Sequence, residues 1–213
     1  GKVKENYQIK GSVNKARLNI LNQFKLKNLS FNFDISKDNY LLKLVDTEFN
    51  NTKVISPLIV IKKKDDLFLV KGQILNDNKN SNTQVFKSVF GNLFQNIDIK
   101  KIRYSSINDF SFNINNNIKF KDLKVNTVLN LKELIVNGGH LKLKSYFPNF
   151  IDEVRLENHK IIIDYSKNKL HINGNGNILI EDRLDNLTYH VAKNDINLIF
   201  DSKINLKNNS LLV

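Results

Sequence analysis

Apolar and polar residues alternate along most of this chain, and a period of two is the pattern of a β-strand with one buried face. The alternation is clearest at 29–35, which reads LSFNFDI, and it recurs in short segments as far as residue 206. Segments of this kind at short, regular spacing are typical of antiparallel meanders, and about 14 to 16 strands fit the pattern. We therefore expect a mainly β fold built as one long antiparallel meander.

The residues between the apolar ones are mostly Asn, Lys, Asp and Ser, so we expect one face of the sheet to lie in water. The other face has to be covered or used, and a barrel, a sandwich or an open curled groove would each achieve this. The period alone does not choose among the three. Two runs, at 58–61 and 67–70, are continuously apolar, which indicates strands covered on both faces.

One segment departs from the period of two and predicts a short amphipathic helix near 83–94. Its apolar residues fall at i, i+1, i+4, i+5, i+8 and i+9, which is one face of a helix, and Asn82 or Thr83 is suited to cap its start. The residues of this face are Val85, Phe86, Val89, Phe90, Leu93 and Phe94.

No linker divides the chain, so we interpret residues 1–213 as a single segment with three parts. These are a repeat-like β unit at 5–76, a helix insertion at 83–95 and a second β meander at 97–213. The chain begins at Gly1 and contains no methionine, which we interpret as the mark of a piece of a longer protein. We expect any signal or membrane anchor to lie outside this window.

Side chains that carry out catalysis or bind metals are sparse. Cysteine is absent, and the four histidines lie far apart without ligand spacing, so we interpret them as surface or turn residues. Gly174-Asn175-Gly176 predicts a bend or bulge rather than a phosphate-binding loop, and no catalytic or nucleotide-binding motif is present. We therefore expect a protein that is not an enzyme and has no cofactor and no metal. The histidines are His140, His159, His171 and His190.

The chain is basic, with a formal net charge of +12 and a pI near 9.7. Part of this excess reflects the codon bias of an AT-rich genome, because Asn, Lys and Ile dominate the composition. The remaining basic surface favours anionic partners such as lipid headgroups, lipopolysaccharide or nucleic acid. Since the lysines are scattered and there are only four arginines, we expect no nucleic acid among the partners.

Several stretches together resemble the AsmA-like family of bacterial envelope proteins, the TamB/YhdP group. Two of them share a strand-Gly-x-apolar close, at Lys10-Gly11-Ser12-Val13 and Lys71-Gly72-Gln73-Ile74. The resemblance is best over about residues 5–76 and rests on patterning. The stretches that carry it are 7–18, 29–33, 40–44, 55–60 and 69–74.

The resemblance implies a fold and a function. The sheet would curl into an open, β-taco-like groove with an apolar lining, along which phospholipid acyl chains move between the inner and outer membranes. It implies a periplasmic location in Gram-negative bacteria, with an inner-membrane anchor in a segment outside this chain. The implied partners are phospholipid, both membranes through regions outside this fragment, and other envelope proteins.

The lining of such a groove would be formed by alternate, inward-facing residues. We expect the following side chains in it: Phe31, Phe33, Ile35, Leu42, Leu44, Phe110, Phe112, Ile114, Ile161, Ile163, Ile178 and Ile180. Each of these residues would equally fit the interior of an ordinary closed β-core.

Two other classes of protein fit the same pattern. One is a structural or assembly module for outer-membrane biogenesis, and the other is a β-rich surface adhesin or fibre segment. Both would have a filled interior, whereas a lipid groove would leave an open apolar channel.

Overall fold

Eleven strands, connected in chain order, form one antiparallel sheet in the part of the chain that the computed structural model describes. The described residues are 7–20, 24–49, 52–78, 98–117, 119–138, 143–147, 149–180 and 183–208. The strands are β1 (Gln8–Ile20), β2 (Phe24–Ser36), β3 (Asn39–Phe49), β4 (Thr52–Lys64), β5 (Leu67–Asn78), β6 (Ile99–Asn115), β7 (Phe120–Asn137), β8 (Glu153–Ser166), β9 (Lys169–Ile180), β10 (Arg183–Lys193) and β11 (Leu198–Asn205). A single 3-10 turn, Leu143–Ser145, is described between β7 and β8.

The predicted fold class is confirmed. The protein is mainly β, its strands follow one another as a meander, and the sheet is open, with β1 and β11 at its two edges. The helix predicted near 83–94 lies outside the described residues. Within the described ranges, no helix has the length and apolar character needed to cross a membrane.

Within the described ranges, the strands are fewer and longer than the sequence pattern predicts, because single irregular residues interrupt the alternation without ending the strand. Strand β1 is the clearest case. Its pairing with β2 shifts between Val13 and Ala16, and Lys15 between them has a φ of 51°, in the left-handed region. An inserted residue of this kind is a β-bulge, which resets the phase of the alternation while the strand continues.

Bulges recur on the neighbouring strands. Asn28 in β2 and Leu44 in β3 each have a φ of 54°, and the pairing of β2 with β3 shifts between Lys27 and Ser30 and again before Asn32. The Ser30 hydroxyl accepts a hydrogen bond from the Lys15 amide at 3.0 Å, which ties the bulge of β1 to β2. Because each bulge adds one residue, the apolar side chains before and after it stay on the same face.

Two of the hairpin connections are formed by clusters of polar residues. The lysine run at the end of β4 leads into a two-residue turn at Asp65 and Asp66. Between β6 and β7, the Asn115 side-chain oxygen accepts hydrogen bonds from the amides of Asn117 (3.1 Å) and Lys119 (2.9 Å). Such asparagine side chains replace backbone partners in tight turns.

The chain divides into two compact units. The first unit comprises Gly1–Asn76, Ile107–Asn126 and Tyr165–Lys167, and the second comprises Asp77–Ser106, Thr127–Asp164 and Asn168–Val213. The boundary at Asn76 coincides with the end of the repeat-like unit predicted at 5–76, but the first unit also takes in parts of β6 and β7.

The second unit contains the fully buried side chains of the described chain. One cluster joins β6 and β7, and a second joins β8 and β9 to the segment that follows the 3-10 turn. Phe147 and Phe150 of this segment are 5% and 2% exposed, so they are core residues. The first cluster is Ile99, Ile102, Tyr104, Leu129 and Leu131, and the second is Phe147, Phe150, Val154, Ile178 and Ile180.

The glycines of β9 do not mark a bulge. The pairing of β9 with β10 keeps one register from Leu170 to Ile180, so the predicted bulge at 174–176 is wrong, and the predicted bend stays a prediction. Instead, a side chain on Gly174 would collide with the Tyr189 ring, and one on Gly176 with His159. Glycine is required here because aromatic rings from neighbouring strands lie directly on its Cα.

Candidate functional site

The candidate site is one face of the sheet in the first unit, which we call the apolar face. Residues directly opposite each other on neighbouring strands form rungs across this face. One rung runs from Gly11 through Phe33, Leu42 and Ile59 to Gly72, crossing β1 to β5. A parallel rung consists of Ile9, Ile35, Tyr40, Ile61 and Val70.

Strand β6 extends the apolar face. A side chain at Gly72 would come within 2.7 Å of the Phe110 ring and 3.1 Å of Ile59, so Phe110 lies on the same face as the first rung. The Asn108 side-chain amide donates to the Ile74 carbonyl at 3.0 Å, which agrees with this placement of β6 beside β5. Since side chains alternate along a strand, Phe112 and Ile114 share the face with Phe110.

Most side chains of the apolar face are only half-buried. Ile9 is 53% exposed, and Val70 is the most buried residue of the two rungs at 6%. The aromatic rings contact one another along the face, with centroids 6.4 Å apart for Phe31 and Phe33 and 5.9 Å apart for Phe110 and Phe112. The face is therefore an apolar surface that the described residues cover only in part.

On β1 to β3, the opposite face carries polar and charged side chains. Lys10 and Lys43 lie 3.9 Å and 3.7 Å from the Asp34 carboxylate, and Gln8 donates a hydrogen bond to it at 2.8 Å. These residues alternate with members of the two rungs, which gives β1 to β3 one wet side and one apolar side. Exposed ion pairs of this kind contribute little to stability, so their main effect is solubility.

The structure brings seven of the twelve predicted lining residues together on the apolar face. They come from β2, β3 and β6, and all are half-buried. They are Phe31, Phe33, Ile35, Leu42, Phe110, Phe112 and Ile114.

Leu44 does not join them. It occupies the bulge of β3 with a φ of 54°, and its side chain is 68% exposed. Val45 takes the place on the face that a strict period of two assigned to Leu44, and it is 9% exposed.

The remaining four predicted residues lie in the second unit, in a filled interior. Ile163, Ile178 and Ile180 are 7%, 7% and 2% exposed, and Ile161 is half-buried against the first cluster. The side chains of Phe147 and Phe150 occupy the space over β9 that an open groove would leave free.

Sequence reasoning missed Ile59, Ile61 and Val70 as members of the apolar face, because continuous apolar runs do not reveal which residues point to which side. The expectation that these runs are covered on both faces is wrong, since Leu58 and Leu67 on the other side are 40% and 37% exposed. The signal that would have found them is cross-strand register, which places them opposite the aromatic residues of β2 and β3.

His159 is a buried residue and not the surface or turn residue that the sequence predicts. It is 1% exposed, and its Nε2 lies 2.8 Å from the Asn177 carbonyl. Burial lowers the pKa of His159, against the opposing effect of the bond to that carbonyl. The neighbouring Tyr189 has its pKa raised to about 12 by burial, so both side chains are neutral near pH 7. His140 lies outside the described residues.

Glu133 is one of two buried carboxylates in the described part of the second unit, and the other is Asp185. Glu133 is 7% exposed, and its Oε2 lies 2.9 Å from Lys101 Nζ and 2.7 Å from an Arg103 guanidinium nitrogen. The hydrogen bond from Lys101 and the charges of both cations lower the pKa of Glu133, although burial acts in the other direction. Two cations for one carboxylate make this a structural ion pair.

Within the described ranges, no group of three histidine, cysteine, aspartate or glutamate side chains is arranged to hold a metal ion. Comparison with protein-family models, with curated proteins and with solved structures finds no match to this chain. The resemblance to the AsmA-like family therefore remains a prediction from the sequence.

Proposed function

We propose that this chain is a non-enzymatic lipid-binding segment, in which the apolar face of the first unit holds the acyl chains of phospholipid. The supporting observation is the pair of rungs that cross β1 to β5 with side chains that are mostly half-buried. Large apolar surfaces that remain partly exposed are typical of sites for lipids or for other proteins.

The chemistry of the apolar face suits an acyl chain better than a compact ligand. Apart from Gly11, Gly72 and Tyr40, its members are branched aliphatic and phenyl side chains, and no charged side chain belongs to either rung. An acyl chain gains about 0.8 kcal/mol for each CH₂ that it buries, so contact along a single rung is enough for useful affinity. Because neither rung carries a charged side chain, an acyl chain could also slide along the apolar face.

In this proposal the protein works in the bacterial periplasm and conducts phospholipid between the inner and outer membranes. That part of the proposal follows from the resemblance of residues 5–76 to the AsmA-like family. Anionic headgroups would stay in water, where the net charge of +12 favours them.

A second candidate is a structural module for envelope assembly, and the second unit favours it. Phe147, Phe150 and Ile180 fill its interior, as in an ordinary β-core. In such a module, the apolar face would be a protein-docking surface and not a lipid path.

The experiment that separates the two candidates is native mass spectrometry of the purified chain. The parent is compared with Phe33→Asp, which puts a charge on the central rung, and with Asn32→Asp, which puts the same charge on the polar side of the same strand. We expect phospholipid adducts on the parent and on Asn32→Asp, and their loss from Phe33→Asp. Circular dichroism of all three proteins reports whether each variant keeps its β-sheet.

A folded parent that carries no phospholipid, even after incubation with phospholipid vesicles, would overturn the lipid proposal. Equal loss of adducts from both aspartate variants would show that charge, and not the apolar face, governs the interaction.

A further inference from the structure

The first unit contains a basic cavity of about 360 Å³ that lies outside the two rungs of the apolar face. Two of its residues, Leu69 and Lys71, alternate along β5 with Val70 and Gly72 of the apolar face, so they point to the other side. Strands β6 and β7 and the turn before β9 supply the rest, and every contributing residue belongs to the first unit. The lining consists of Leu69, Lys71, Ser111, Phe112, Asn113, Asp122, Leu123, Lys124 and Lys167.

Three lysines from three different parts of the chain converge on this cavity. Lys71 comes from β5, Lys124 from β7 and Lys167 from the turn between β8 and β9. Among the described residues, none of the three has a carboxylate within ion-pair distance, although several other lysines of the chain do. The positive charges of these three lysines would attract an anion that enters the cavity.

The acidic group of the cavity is already engaged. Asp122 occupies a left-handed position with a φ of 55°, and its Oδ2 accepts a hydrogen bond from the side-chain amide of Asn113 at 2.9 Å. Asp122 thereby fixes the orientation of the Asn113 side chain at the cavity wall. With three lysines and one aspartate, the lining keeps an excess of two positive charges.

We propose that this cavity binds a small phosphorylated molecule. Its volume is at the lower end of the range for small-molecule sites, which begins at about 300 Å³, and far exceeds what a bare phosphate ion needs. Three lysines with the Ser111 hydroxyl match the several oxygens of a phosphate group. Leu69, Leu123 and Phe112 offer apolar contact to the remainder of the ligand.

This site lies outside the two rungs of the proposed lipid-binding face, and Phe112 is the one lining residue that it shares with the apolar face. Its phosphate could belong to a free metabolite or to a lipid headgroup that approaches from solution. Both sources present the same phosphate oxygens to the lysines, so different probes are needed to distinguish them.

The test uses the whole chain, with glycerol 3-phosphate as the soluble probe and glycerol as its neutral control. Binding is measured by isothermal titration calorimetry and by amide shifts of Ser111 and Asn113 in NMR spectra. The triple variant Lys71→Gln, Lys124→Gln, Lys167→Gln removes the three cavity charges. A matched variant, Lys15→Gln, Lys25→Gln, Lys27→Gln, removes three exposed lysines of the same unit that lie outside the cavity.

We expect glycerol 3-phosphate to bind the parent and the matched variant with equal affinity, and the cavity variant about tenfold more weakly or worse. Glycerol should bind none of the three. A second arm uses phosphatidylcholine vesicles with and without phosphatidylglycerol, and binding to anionic vesicles that requires the cavity lysines would identify a lipid headgroup as the source of the phosphate.

Equal weakening in both triple variants would overturn the proposal, because net charge alone would then account for binding. Absence of binding to both glycerol 3-phosphate and anionic vesicles would also overturn it. Neither result depends on whether the apolar face binds acyl chains, so the two proposals can fail separately.

Discussion

The two units of this protein come from the same alternating pattern and use it differently. In the first unit the apolar side chains of β1 to β5 stay mostly half-buried, whereas in the second unit Ile178 and Ile180 lie under Phe147 and Phe150. The difference comes from the connection between β7 and β8, which supplies two phenyl rings as a cover. An alternating strand therefore shows which side chains share a face, but the segments between strands decide whether that face becomes a core or a surface.

The largest expected difference between the two units is in the loss of stability when one isoleucine of each unit is truncated to alanine. Ile180→Ala should lower the free energy of unfolding by about 2–4 kcal/mol, because it leaves a cavity in a filled core. Ile35→Ala removes the same atoms from a half-buried site and should cost about 1 kcal/mol or less. Urea denaturation of both variants beside the parent measures the difference, and equal losses would mean that the apolar face is as well packed as the second core.

A smaller effect is expected from adding a methyl group at a glycine of each unit. A Cβ on Gly176 would meet the His159 ring and lie 2.6 Å from the His159 Cα, so Gly176→Ala should cost about 1–3 kcal/mol. At Gly11 the nearest atoms all belong to the Phe33 ring, which can swing away over the half-open face.

Gly11→Ala should therefore destabilise the protein much less than Gly176→Ala does. Thermal unfolding of the two variants measures both losses of stability. If Gly11→Ala proves the more destabilising change, Phe33 is held as rigidly as a core residue and the contrast between the units is wrong.

The smallest effect is a pH dependence confined to the second unit. Burial keeps His159 neutral in the folded state, whereas in the unfolded state it takes up a proton near its ordinary pKa of 6.5. Protons therefore favour unfolding, so this part of the stability is complete above about pH 6.5 and declines as the pH falls below it.

Hydrogen exchange of the β8 and β9 amides between about pH 7.5 and pH 5 should show this decline, and the range keeps Glu133 ionised. His159→Gln should flatten the profile. A parent profile with no slope across this range would contradict the neutral, buried state of His159.

The fold class was predictable from the sequence because a period of two belongs to strands and is not produced by helices. The number of strands was less predictable than the fold class, because a bulge and a strand end interrupt the period of two in the same way. Leu44 illustrates how a bulge misleads the pattern. The alternation Tyr40, Leu42, Leu44 predicts that Leu44 lies on the apolar face. The bulge at Leu44 shifts the phase of the alternation by one residue, so Val45 is buried in place of Leu44.

The filled interior of the second unit was not predictable, because the residues that cover it lie in a segment without period. Phe147 and Phe150 flank a proline in an irregular stretch, and nothing in their spacing indicates which strands they contact. His159 is different, since it stands two residues before Ile161 on β8 and four before Ile163. That spacing was available in the sequence and indicates a residue on the buried face.

The bulges of β1, β2 and β3 help to specify the register in which these strands pair. Asn, Lys, Leu and Ile recur often on these strands. If one strand shifted its register by two residues, most side chains would still pair with similar side chains and the same face would stay apolar. Such a slip would move each bulge out of line with its neighbour and break the bond between the Lys15 amide and the Ser30 hydroxyl. A repetitive sequence can thus encode a single alignment of its strands, with the information held in a few residues that interrupt the repetition.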